Sequence, residues 1–88
     1  MDKAKAVELI LAELEKAEEK WPNWPEDKVH AAAIVAEEAG ELLEVANSFR
    51  IEPEPISQEE YKEYLSEMEK EAVQTGAMAV RFLIHMEG

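Results

Sequence analysis

Four glutamates, Glu37, Glu38, Glu41 and Glu44, interrupt an otherwise apolar run from Val29 to Phe49. An ionised carboxylate moved into a low-dielectric interior loses several kcal/mol of solvation unless a counter-charge restores it. Like charges one helical turn apart add about 1 to 4 kcal/mol of repulsion, depending on the effective dielectric. A cation therefore belongs beside them. Glu38 and Glu41 are three apart and Glu37 and Glu41 four apart, so a helix projects them to one side. Glu71 and Gln74 repeat the three-residue step, and two antiparallel helices could set the pairs face to face. At about 1.5 Å per residue, Glu38/Glu41 lie about 14 Å from the end of their helix and Glu71/Gln74 about 22 Å from the start of theirs. The difference of about 8 Å is within the roughly 26 Å reach of the connector between the two helices.

Carboxylate and amide oxygens at one focus are hard donors suited to Mg²⁺ or Mn²⁺. A carboxylate-bridged di-iron bundle would want Glu-x-x-His, and neither His30 nor His85 has a glutamate three residues before it. The bland alternative, a solvated acidic face, is disfavoured for Glu37, Glu38 and Glu41 because apolar neighbours leave their helix little surface. Glu44 and Glu67 read as solvated.

Three helices must position these groups. The first, over 2–20, carries Val7, Ile10, Leu11, Leu14, Ala17 and Trp21 at three- and four-residue steps and stops at Trp21-Pro22-Asn23-Trp24-Pro25. The second, over 27–49, is apolar on most of its circumference and calls for neighbours on more than one side. The prolines at 53 and 55 then impose an extended connector. Ser57-Gln58-Glu59-Glu60 has the form of a capping box and opens a third helix over 58–86. Its stripe is Tyr61, Tyr64, Leu65, Met68, Ala72, Thr75, Ala79 and Leu83, with Met68, Met78 and Met86 at core spacing and Gly76 a possible bend. No run alternates with period two long enough for a strand. The expected class is all-α: one domain over 1–88, of antiparallel helical hairpins forming a bundle that dimerisation completes. After Glu71 the third helix is apolar on more faces than one small hairpin covers, which implies a homodimer or homotetramer.

The chain has 88 residues, no cysteine and a formal charge of −12. That charge argues against nucleic acid or an anionic membrane as partner, and a polyphosphate ligand would need a metal intermediary. The apolar stretches are too short for a membrane span and no signal-peptide order is present, so a cytoplasmic location is expected.

Glu37-Glu38-Ala39-Gly40-Glu41, followed by Glu71-Ala72-Val73-Gln74, resembles the E-E-x-x-E and E-x-x-D signature of the MazG-like all-α nucleoside triphosphate pyrophosphohydrolases. His30-Ala31 before the acids and Ala77-Met78-Ala79-Val80-Arg81-Phe82-Leu83 after them are similar to the small phage and bacterial members, and the likeness covers about 21–83. The resemblance implies Glu38, Glu41 and Glu71 as ligands of Mg²⁺ or Mn²⁺, position 74 as the fourth, and cleavage of a nucleoside triphosphate between its α and β phosphates. Glu37 or Glu38 is the candidate base. Gln74 departs from the pattern by one negative charge, and the spacer from Leu42 to Lys70 exceeds that of compact members.

Around this set, Trp21 and Trp24 could stack on a nucleobase or lid the core. His30 could touch substrate or pack at a helix start; His85 reads as packing or surface. Arg81, seven residues past Gln74, could bind phosphate or pair with a buried acid. The rival to an enzyme is a non-catalytic acidic helical interaction module carrying a degenerate metal site.

Overall fold

The computed structural model describes residues 1–51 and 56–86, and within them the chain is helical without strands. The helices are α1 (Lys3–Lys20), α2 (Lys28–Arg50) and α3 (Gln58–Ile84). Each begins at a residue whose side chain accepts from a free backbone amide. Asp2 takes Lys5 N at 2.8 Å, Asp27 takes Val29 N at 2.9 Å, and Ser57 takes Glu60 N at 3.1 Å. Glu60 completes the capping box by accepting from Ser57 N at 3.5 Å. The prolines at 53 and 55 lie outside the described residues.

α3 is the organising element, packing on both α1 and α2; among the described residues α1 makes no backbone approach to α2. At one end of the α2–α3 pair, Lys28 Nζ donates to the His85 carbonyl at 3.0 Å. At the other, the Phe49 ring meets Tyr61 at 5.8 Å and Tyr64 edge-on at 5.4 Å. The start of α2 therefore faces the end of α3, which sets the middle of α2 opposite Glu71. On its other side α3 receives α1 at Gly76, where an added Cβ would stand 2.8 Å from Ile10 Cδ1. α3 continues unbroken through Gly76, and the missing side chain there lets α1 come close.

Several expected burials do not hold. Leu14, Ala31 and Ala77 are the buried apolar residues, while Val7, Leu11, Tyr61, Leu65, Leu83 and Met86 are exposed. Met86 lies past the end of α3, which closes two residues earlier than the pattern suggests, with His85 as cap. α2, expected to be covered nearly all round, has Ala31 as its buried residue. The reason is geometric: α3 covers one side of α2, and α1 packs on α3 instead of closing over α2.

Candidate metal centre

α2 presents Glu38 and Glu41 one turn apart, and α3 crosses them at Glu71. One carboxylate oxygen from each lies within 4.8 Å of the others. Glu71 is only 8% exposed, Glu38 is half-buried and Glu41 is exposed. One oxygen of Glu38 and one of Glu71 are buried with no hydrogen-bond partner. No lysine, arginine or histidine forms an ion pair with the cluster among the described residues, where the ion pair found is Lys5 with Glu8 at 3.8 Å. An unpaired buried acceptor is costly, and two in one acidic cluster compound the cost.

The proton equilibria carry the mark of that crowding. Burial, then the charges of Glu41, Glu71, Glu37 and Glu13, push the Glu38 carboxyl above its ordinary value. Burial also raises Glu71, as do a hydrogen bond that it can share with Glu41 only if one of the two carries a proton, the Glu41 charge and, more weakly, Glu67; Lys70 acts in the opposite sense. Three hard oxygens, one open to solvent and two lacking donors, fit a divalent ion that keeps several waters. Oxygens sharing an ion at about 2.1 Å stand at most about 4.2 Å apart, so small side-chain rotations close this set.

Beside the cluster lies a cavity of about 560 Å³, bounded by Glu38 and Ile34 of α2, Gln74, Met78 and Arg81 of α3, Glu13, Lys16, Ala17 and Lys20 of α1, and the Trp21–Trp24 turn. That volume is within the usual range for small-molecule sites. Arg81 is 3% exposed, donates to the Trp21 carbonyl and sits 5.0 Å from the Trp24 ring centre. Its Nε has no partner. His85 stacks on the same Trp24, with ring centres 5.9 Å apart. Three cations, Lys16, Lys20 and Arg81, line the cavity with two acids, Glu13 and Glu38, beside the further carboxylates of Glu41 and Glu71, in a chain of charge −12.

The residues singled out by sequence divide as follows. Glu38, Glu41 and Glu71 come together. Gln74 is half-buried and lines the cavity with Glu38. Glu37 is exposed and stands outside the cluster. Trp21, Trp24 and Arg81 line the cavity; His30 is exposed at the start of α2 and does not. Arg81 pairs with no acid among the described residues, holding the Trp21 carbonyl instead. Glu44 and Glu67 are exposed, as expected. Sequence reasoning passed over Glu13, Lys16, Lys20 and Asn23. They look like ordinary polar residues until the approach at Gly76 swings α1 beside the acids.

No family of known proteins, no curated protein and no solved structure matches this chain. The MazG resemblance stands on the motif residues named above.

Proposed function

We propose that the chain is a divalent-metal-dependent nucleoside triphosphate pyrophosphohydrolase of MazG-like type, releasing monophosphate and pyrophosphate. The observation that carries the reading is the meeting of Glu38, Glu41 and Glu71 within 4.8 Å, with unpartnered buried oxygens on Glu38 and Glu71, where Glu38 also lines a cavity edged by two tryptophans and three cations. An acidic interaction module has no use for carboxylates withdrawn from solvent beside such a cavity.

Glu38, Glu41 and Glu71 hold Mg²⁺ or Mn²⁺, with the Gln74 amide oxygen beside them as a neutral fourth donor. When bound, the ion neutralises phosphate oxygens and lowers the pKa of a bound water. The rest is done by the chain. Arg81 offers its free Nε–H, and Lys16 and Lys20 their ammonium groups, to the phosphates, which counters the repulsion a −12 chain exerts on a polyanion. Trp24, which touches both Arg81 and His85, lines the cavity where the base would lie, and Trp21 forms the exposed rim. Glu37, next to the ligands but outside their set, keeps a carboxylate oxygen available to accept the proton of the attacking water; Glu38 is the other base within reach. Catalysis of this kind is mostly positioning and charge stabilisation. The exposed apolar surface of the single chain supports a homodimer or homotetramer as the working form.

The test is a panel of nucleoside triphosphates assayed for pyrophosphate with Mg²⁺ or Mn²⁺ and with chelator. We expect release with metal only, falling at least about 100-fold in Glu38→Gln and Glu41→Gln. Equal release by wild type and both variants contradicts the assignment.

A further inference from the structure

Both tryptophans of the protein sit in the strap that joins α1 to α2, Trp21-Pro22-Asn23-Trp24-Pro25. Its two prolines have no amide with which to anchor it. The anchor comes from α3. Arg81 donates to the Trp21 carbonyl and sets its guanidinium 5.0 Å from the Trp24 ring centre, so one side chain holds the strap at both tryptophans. Among the described residues, that carbonyl bond is the hydrogen bond joining the strap to α3. The hold is incomplete. A guanidinium has five N–H donors and keeps its charge, yet Arg81 is 3% exposed, pairs with no carboxylate among the described residues and has a buried Nε without an acceptor. A cation withdrawn from water in this way needs an anion or must swing out to solvent. Arg81 lines the cavity of about 560 Å³ together with Trp21, Asn23 and Trp24 of the strap.

We propose that Arg81 couples the strap to the ligand: an oxyanion in the cavity takes the Arg81 donors that Trp21 leaves free and thereby locks the strap against α3. This rests on the phosphate side of the reading above and needs neither metal nor turnover. The coupling follows from the shared side chain. The strap and the anion both require the guanidinium in its buried position, so the anion binds the docked conformation more tightly and shifts the population towards it. Reciprocally, weakening the hold on the strap weakens anion binding by the same factor. Lys16 and Lys20 line the same cavity, but both belong to α1, and Lys20 rests on Trp21 itself, so neither bridges the strap to α3. Lysine at position 81 would keep the charge and lose the planar fork that serves carbonyl, ring and oxyanion at once.

The test titrates inorganic pyrophosphate into metal-free protein in chelator, at ionic strength matched with chloride. Acrylamide quenching of tryptophan fluorescence reports the strap alone, because both tryptophans lie in it. Wild type should show a saturable fall in quenching and melt about 4 to 8 °C higher at roughly fivefold excess over the dissociation constant. Arg81→Lys should lose both responses. Trp24→Leu, which leaves Trp21 as reporter, should bind pyrophosphate more weakly although a pyrophosphate has no base to stack on the missing ring. A wild type that responds to pyrophosphate no more than to chloride overturns the proposal, as does a full response in Arg81→Lys or an unchanged affinity in Trp24→Leu. Since the readout uses no metal and no hydrolysis, metal-dependent pyrophosphate release without the strap response sinks the coupling alone, and a strap response without release sinks the enzymatic reading alone.

Discussion

Glu71 is the residue on which the site turns, because it is the most buried member of the acidic cluster and has an oxygen without a donor. Its carboxyl and that of Glu38 bind protons more tightly folded than unfolded, chiefly through burial. For an acid shifted upward, the protonated form favours the fold; this contribution is complete below the ordinary carboxylate range and is lost as pH rises through the raised value. Metal-free protein should therefore melt at progressively lower temperature as pH rises from the ordinary carboxylate range through the raised values of Glu38 and Glu71. Glu71→Gln should flatten that slope and melt higher than wild type at neutral pH in chelator; a lower melting point would show that its charge is already compensated. Arg81 answers to a different measurement. Arg81→Met removes the donor to the Trp21 carbonyl and the cation beside Trp24, and should cost about 1.5 to 3 kcal/mol, the usual range for a hydrogen bond to a charged group. Both tryptophans line the cavity, so their fluorescence should report the loss directly in a denaturant titration.

Among the elements, α3 carries the design, receiving α2 on its acidic side and α1 at Gly76. Gly76→Leu would drive a branched side chain into Ile10 and should cost about 1 to 3 kcal/mol as α1 is pushed off, opening the cavity wall formed by Lys16 and Lys20. Urea denaturation, followed by nucleotide binding read through tryptophan fluorescence, checks both effects. The helices themselves were legible from periodicity and caps, since Asp27, Ser57 and the prolines at 22 and 25 act locally. The meeting of Glu38 and Glu41 with Glu71 was legible too, because three-residue spacing on two antiparallel helices leaves few registers. Lys16, Lys20 and Asn23 were not. Their place depends on α1 docking against α3, a non-local choice made by one absent side chain at position 76, which in sequence suggests a bend as readily as a contact. His30 shares a helix side with the acids, but it stands at the exposed start of α2 and is not among the residues lining the cavity.

The whole molecule is elongated, 51 × 27 × 22 Å, with a radius of gyration of 15.1 Å where a compact chain of this length has about 12 Å. Its composition promised more burial than one copy delivers: α2 has apolar residues for two interfaces, and the fold of a single chain uses one. Periodicity cannot say whether the second neighbour is another part of the chain or another chain, which is why an expected buried helix is found with an open face. No described helix is long and apolar enough to cross a membrane. At this scale, Glu38 and the cavity lie on the side of α2 that faces α3, and the opposite side of α2 is exposed and largely uncharged.

Calorimetric titration of metal-free protein with Mn²⁺ tests the central claim most directly, because it asks the acidic cluster for a cation without requiring any substrate. The account predicts saturable binding at the Glu38, Glu41 and Glu71 centre, weakened at least about tenfold, or by 1.4 kcal/mol, in Glu71→Gln. No heat of binding up to millimolar metal, or an isotherm that Glu38→Gln and Glu71→Gln leave unchanged, would contradict it.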